Sequence, residues 1–215
     1  TTKGVKMGLV SPAMFADEAV LIPDLLMSLP YGVFATSSID AMIHAVESYL
    51  SPNACAISKL FSEQALALIL PCWKQAADAG DKNAWKQNAV EFLRASNFAG
   101  IAFGHAGCAA VHATSYPLSG VHHVPHGESN QVMFSSVMKK YAEKQPVGKL
   151  TDLEALLASI MGWKQENALN ELYALMDRIL QRKPMREYGV TEDELPKYAD
   201  SVIETQQRLL GNNYV

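Results

Sequence analysis

From Pro30 onward the apolar positions recur at helical spacing, whereas before it they come in two short unbroken runs. Those runs, Lys6 to Val10 and Glu18 to Ile22, flank the segment SPAMFAD and predict two strands joined by a turn. A lone hairpin is marginal in water, and the rest of the chain offers no good strand partner. The pair is therefore expected to join a sheet that lies outside these residues. The first helix is expected over 36–50, stopped by Ser51-Pro52-Asn53. The second covers 56–79, is apolar around much of its circumference from Leu60 to Trp73, and is closed by Gly80. A third, 84–103, carries the small-residue face Ala95, Ala99 and Ala102, which permits close approach of another helix. AGCAAVHATSY then reads as a buried helix ended near Pro117, and SGVHHVPHG as a loop. A helix from Gly127 to Tyr141 follows. Capping boxes are expected at Thr151 with Glu154 and at Thr191 with Glu194. The last helices are expected over 167–183, before Pro184, and 198–210, before Gly211. The predicted fold class is mainly α: a helical bundle with a short N-terminal β-hairpin.

Composition narrows the function. With 215 residues and 49% hydrophobic content there is enough apolar side chain for a buried core. A formal charge of −4, with lysines and arginines scattered, gives no basic stripe for nucleic acid and no polybasic segment for a membrane surface. Small molecules are the expected partners. Cys55, Cys72 and Cys108 are odd in number and lie in apolar runs, which suits a reducing cytoplasm better than a disulfide framework. No apolar run reaches the length of a bilayer span, and TTKGVKMGLV lacks the pattern of a signal peptide. Neither a G-x-G-x-x-G turn, a Walker loop, a G-x-S-x-G elbow nor an H-E-x-x-H helix occurs.

The chemistry lies in the histidines. A single histidine on a helix is more often a packed or surface residue than a ligand. All six, however, fall between positions 44 and 126, and five of them between Gly100 and Gly127. Asp40 and His44 are one helical turn apart, so the carboxylate and the imidazole share a face. If His112 and His126 supply the other half, one carboxylate and three neutral imidazoles would hold a divalent transition metal and leave room for a substrate oxygen. His122 and His123 are adjacent in a loop and point to opposite sides, so at most one faces the site. His105 lies two turns before His112 and serves either as support for a ligand or in packing. Tyr116 is one turn past His112, within reach of a substrate, although a buried tyrosine with a satisfied hydroxyl is the default reading. Glu128 suits a helix N-terminus better than a catalytic role.

Three spaced elements, DAMIHAVESY from Asp40, AVHAxxxPL from Ala110 and VPHGE from Val124, resemble the iron-containing alcohol dehydrogenase family. The resemblance covers nearly the whole chain. It implies that Asp40, His44, His112 and His126 are the metal ligands; His122 and Tyr116 stand beside them as substrate-side candidates on the reading of the residues. It implies Fe2+ as the metal, with Zn2+ as the alternative. Within the family, GVHHVPHGESN and the ending DSVIETQQRLLGNNYV are most similar to the 4-hydroxybutyrate dehydrogenase branch. This chain departs from the pattern at His105, where relatives often carry Asn, and at Tyr116, where many carry a further His.

The family also has an N-terminal dinucleotide-binding domain with a G-G-G-S turn, which is not among these residues. Residues 1–30 are accordingly expected to be strands of that domain, and 31–215 the helical metal-binding domain. The implied activity is oxidation of a small primary alcohol or ω-hydroxy acid such as 4-hydroxybutyrate to its aldehyde, with NAD or NADP held mainly by the other domain. Alternatives are a glycerol or polyol dehydrogenase, a dehydroquinate-synthase-like lyase, or a non-catalytic helical metal-binding fragment. The expected setting is cytoplasmic, as a homodimer or higher homo-oligomer. The 215 residues alone are expected to show no dehydrogenase turnover.

Overall fold

The computed structural model describes residues 6–215 as a helical bundle. Its helices are α1 (Tyr31–Leu50), α2 (Ala56–Ala79), α3 (Ala89–Ala106), α4 (Ala110–Val121), α5 (His126–Lys144), α6 (Lys149–Met161), α7 (Ala168–Ile179), α8 (Glu194–Thr205) and α9 (Gln207–Leu210). Among the described residues no helix is long and apolar enough to cross a membrane.

The central element is α1, which packs against α2, α3, α5 and α6. From Phe34 to Leu50 every residue of α1 is buried except Thr36, Ser37, Asp40 and His44. Three of these, 36, 40 and 44, are one turn apart, so a core helix keeps a single open stripe, and two of the sequence-predicted ligands lie on it. The buried side of α1 meets Leu66, Ile69, Leu70 and Trp73 of α2. Ser38 accepts the Trp73 indole hydrogen bond at 3.0 Å, which satisfies a donor that burial would otherwise strand. Ala95, Ala99 and Ala102 of α3 are fully buried, as a close helix contact requires. On the open side, α5 comes so near that Gly127 faces the Thr36 backbone.

The sequence and the structure differ in several places; besides those that follow, Ala84–Asn88 is a 3-10 turn ahead of α3, and the last predicted helix starts earlier, at Glu194, and is interrupted at Gln206. No strand forms among the described residues. Lys6 to Val10 and Glu18 to Ile22 are irregular, and the segment holds only two short 3-10 turns, Pro12–Met14 and Pro23–Ser28. The predicted hairpin is therefore corrected: two short apolar runs with no sheet to join do not repay the ordering of their backbones. Residues 1–5 of the predicted N-terminal segment lie outside the described residues. Helix α1 starts five residues earlier than expected, at Tyr31 just after Pro30. Helix α4 does not stop at Pro117 but runs on to Val121. Pro117 removes one backbone bond, yet fully buried Leu118 anchors the last turn in a cluster with Val124, Val132 and Val190. The Thr151 box does not form, because Thr151 lies inside α6 and its hydroxyl bonds the Pro146 carbonyl at 3.1 Å. Helix α7 ends at Ile179, with Leu180 extended, rather than at Lys183. At Thr191, by contrast, Glu194 reaches back to the backbone amide at 2.8 Å, the carboxylate half of the box.

Candidate metal centre

Three helices supply the site: α1 gives Asp40, His44 and Glu47, while α4 and α5 each bring their N-terminal turn, with His112 and His126. Asp40 Oδ1 lies 3.4 Å from His112 Nε2 and 3.6 Å from His126 Nε2. The ligating atoms of these three residues all fall within 4.8 Å of one another. Atoms bound to a metal at about 2.1 Å in a tetrahedron are separated by about 3.4 Å. The two measured edges match that spacing, and the set of one oxygen and two imidazole nitrogens suits a divalent transition metal.

The fourth predicted ligand is placed differently. His44 Nδ1 is 3.9 Å from Asp40 Oδ2, and its ring is sandwiched between His112 at 4.6 Å and Phe103 at 4.2 Å, each 17° from parallel. Imidazole lone pairs lie in the ring plane. Two rings stacked in this way do not address one point until one of them turns. The structure thus brings Asp40, His112 and His126 together and sets His44 against their side.

Burial and charge fix the protonation of the group. Burial opposes ionisation of Asp40, but His112, His44 and His126 outweigh it and hold the carboxyl below the usual carboxylate range. Burial pulls His44 down to about 3 and His126 to about 4, against the raising effect of Asp40, so both are neutral with lone pairs available. For His112 burial also works downward, yet Glu47 and Asp40 prevail and raise it to about 9. Its Nε2 proton is the one that a metal ion would displace.

Glu47 was not singled out in the sequence. It lies three residues past His44 and seven past Asp40, on the same side of α1, and that spacing was its only sequence signal. Only 1% exposed, its carboxylate accepts hydrogen bonds from the Ala109 amide at 3.1 Å, the Val111 amide at 2.6 Å and His112 Nδ1 at 2.5 Å. One buried carboxylate therefore caps α4 and sets the His112 tautomer, leaving Nε2 aimed at Asp40. Glu47→Gln would put an amide donor against these donors. The expected result is a stability loss of about 1–3 kcal/mol and a metal affinity about 10- to 100-fold lower. Thermal melts and chelator competition measure the two; unchanged metal affinity beside lost stability would leave Glu47 as a helix cap alone.

Asn130, one turn after His126, was also missed. Its Nδ2 lies 2.7 Å from Asp40 Oδ1, 3.2 Å from His112 Nε2 and 3.4 Å from His126 Nε2, at the point where the three atoms converge. Its own Oδ1 is buried without a partner among the described residues, and so is His126 Nδ1. The amide holds the place that a cation would take, so Asn130 turns aside when a metal binds, and its unpartnered Oδ1 shows that the present seat leaves a buried polar atom unsatisfied.

The remaining sequence candidates divide. Tyr116 lines the cavity in front of the centre, its ring 6.0 Å from that of His126. His122 does not line it; Nε2 pairs with the Tyr198 hydroxyl at 2.5 Å, against α8. His123 is exposed in the left-handed conformation, φ 55°, at the turn between α4 and α5. His105 is in the cavity wall. Glu128 accepts the Tyr188 hydroxyl at 2.8 Å in the first turn of α5. A second cluster, His44, Cys108 and His112, also falls within 4.8 Å. Burial, with Glu47 nearby, pushes the Cys108 thiol well up, so it stays protonated and a poor ligand beside the oxygen–nitrogen set.

Comparison with known proteins gives the family. Residues 34–215 match the model of the Fe-containing alcohol dehydrogenase family, C-terminal. The 4-hydroxybutyrate dehydrogenase of Clostridium kluyveri is 49% identical over 97% of this chain, and long-chain-alcohol dehydrogenase 1 of Geobacillus thermodenitrificans is 32% identical over 93%. The chain spans only 56% and 51% of the lengths of these two relatives. A mutant of an archaeal halo-thermophilic alcohol dehydrogenase from a Red Sea brine pool superposes over the whole chain, and 55% of its own, with a TM-score of 0.87 at 18% identity, which speaks to the fold alone. A 1,3-propanediol oxidoreductase structure covers 85% of this chain and 48% of its own with a TM-score of 0.71 at 28% identity. On the family match and the identity to these relatives, the chain belongs to the Fe-containing alcohol dehydrogenase family, whose C-terminal part it represents.

Proposed function

We propose that this chain is the metal-binding part of a nicotinamide-dependent dehydrogenase that interconverts a short ω-hydroxy acid, 4-hydroxybutyrate in the first instance, and its aldehyde. The observation that carries the reading is the convergence of Asp40 Oδ1, His112 Nε2 and His126 Nε2, with His112 locked from behind by Glu47. Asp40, His112 and His126 would hold the metal, with His44 joining them on turning its ring; Fe2+ is the first choice and Zn2+ the second. When bound, the metal supplies Lewis acidity toward the alcohol or aldehyde oxygen. Asp40 is the one carboxylate that would touch the ion, so part of the ion's charge is left to face a developing alkoxide.

The chain's own residues do the rest. Glu47 holds the His112 tautomer, Asn130 donates to the Asp40 carboxylate while no ion is bound, and Phe103, stacked on His44, shields one side from water. Tyr116 forms the wall beside His126. Residues 31–215 form the metal domain in this reading, and residues outside these 215 would hold NAD or NADP. The substrate assignment rests on the likeness to the Clostridium kluyveri enzyme, whose name gives its substrate.

Cobalt substitution tests the ligand set. One Co2+ per chain is expected, without a thiolate-to-cobalt charge-transfer band, and Asp40→Ala or His126→Ala should abolish uptake. A thiolate band would move the metal to Cys108 and overturn the assignment.

A further inference from the structure

The cavity in front of the centre has a volume of about 510 Å³, and its wall includes His44, His112 and His126. Its charge is one-sided. Among the described residues that line it, Arg208 of α9 is the only lysine or arginine, and no aspartate or glutamate is present. Arg178 pairs with Asp78 and Arg182 donates to Ser135, but no described residue forms a hydrogen bond or ion pair with the Arg208 guanidinium. The group abuts Gly8, where a Cβ would lie 3.1 Å from Nη2, and its charge is felt at Cys108 and Tyr116, both of the same wall.

The other polar groups of the wall are largely engaged. Asn53 donates to Asn212 at 2.7 Å, and Asn212 donates to the Cys108 carbonyl at 2.9 Å. Lys6, the other cation on this side, stands over the Tyr116 ring at 5.1 Å. A half-open apolar cavity with one uncommitted guanidinium and no acid of its own suits an anionic ligand. A guanidinium presents a planar fork of donors that a carboxylate meets with two parallel hydrogen bonds.

We propose that Arg208 anchors the carboxylate of a short ω-hydroxy acid whose hydroxyl end reaches the Asp40, His112 and His126 cluster, and that it thereby sets the preference for acidic over neutral alcohols. This rests on the metal-centre reading above and adds to it the residue that reads the acid. Because Arg208 is largely exposed, the preference comes from added affinity for the acid, not from rejection of a neutral alcohol.

The test is binding of 4-hydroxybutyrate and 1-butanol to the metal-loaded protein, followed by NMR titration, in wild type, Arg208→Gln and Arg208→Lys. The expected result is that Arg208→Gln binds 4-hydroxybutyrate about 10- to 100-fold more weakly. Arg208→Lys should fall between, and 1-butanol should bind as in wild type. The proposal is overturned by unchanged 4-hydroxybutyrate binding in Arg208→Gln. An equal loss for 1-butanol would mean damage to the cavity and also overturns it. Wild type that binds 1-butanol as well as 4-hydroxybutyrate sinks this proposal alone, whereas wild type that binds neither sinks the metal-centre reading with it.

Discussion

Replacement of His112 by alanine is expected to cut metal content from near one ion per chain to near zero. His112 is 2% exposed and, among the described residues, is the only one that touches both the Asp40 carboxylate and the Glu47 carboxylate behind it. The alanine variant also strands the Glu47 charge, so it should be less stable by about 3 kcal/mol or more. His112→Gln separates the two effects, since its amide can still donate toward Glu47 while no imidazole lone pair faces the centre. Metal analysis of both variants beside wild type measures the outcome, and equal metal content in all three would remove His112 from the ligand set.

The same residue predicts a pH dependence with a definite sign. In the metal-stripped protein His112 is raised from 6.5 to about 9 by its two carboxylates, against the pull of burial. Its stabilising effect is therefore complete below about pH 6.5 and is lost as pH rises through about 9. Metal affinity runs the opposite way: the ion must displace the Nε2 proton, so affinity should climb by up to about tenfold per pH unit and level off near pH 9.

Gly127→Ala is expected to be the most damaging glycine-to-alanine change among the described residues. The added Cβ would lie 1.9 Å from the Thr36 carbonyl oxygen and 2.6 Å from its carbon. These are backbone atoms of the central helix, and no rotamer change moves them aside. Ordinary overpacking costs about 1–3 kcal/mol, and here α5 must shift as a body, so the expected loss is about 3 kcal/mol or more. For a chain of this size that lowers Tm by about 6–12 °C. Displacing α5 also moves His126 and Asn130, so metal affinity should fall with stability. Thermal unfolding settles it: a change below about 1 kcal/mol would mean that the two helices separate without strain.

Where the physical cause is local, the sequence was enough. Helix α2 runs from Ala56 to Ala79 as its apolar periodicity and Gly80 require, and Gly80 takes the left-handed φ of 68° that favours glycine. The Asp40–His44 pair follows from the helical repeat alone, and the resemblance to the family drew on the residues around it, His112 and His126. The errors share a cause too. The hairpin, the stop at Pro117 and the Thr151 box were local signals overridden by what surrounds them: no sheet to join, an apolar cluster around Leu118, and a helix that begins two residues before Thr151.

What only the tertiary structure decided is the meeting of residues that are far apart in the chain. Asp40 and His112 are 72 positions apart in sequence and 3.4 Å apart in space, because α1 is buried on every side but one stripe and the first turns of α4 and α5 close over that stripe. Glu47 and Asn130 gained their roles the same way, one as the cap of a helix it does not belong to, the other as the amide among three ligand atoms. The sequence by itself determined which side chains stand on each helix face; the packing of α4 and α5 on α1, permitted at Gly127 by the absence of a single Cβ, decided which of them make one site.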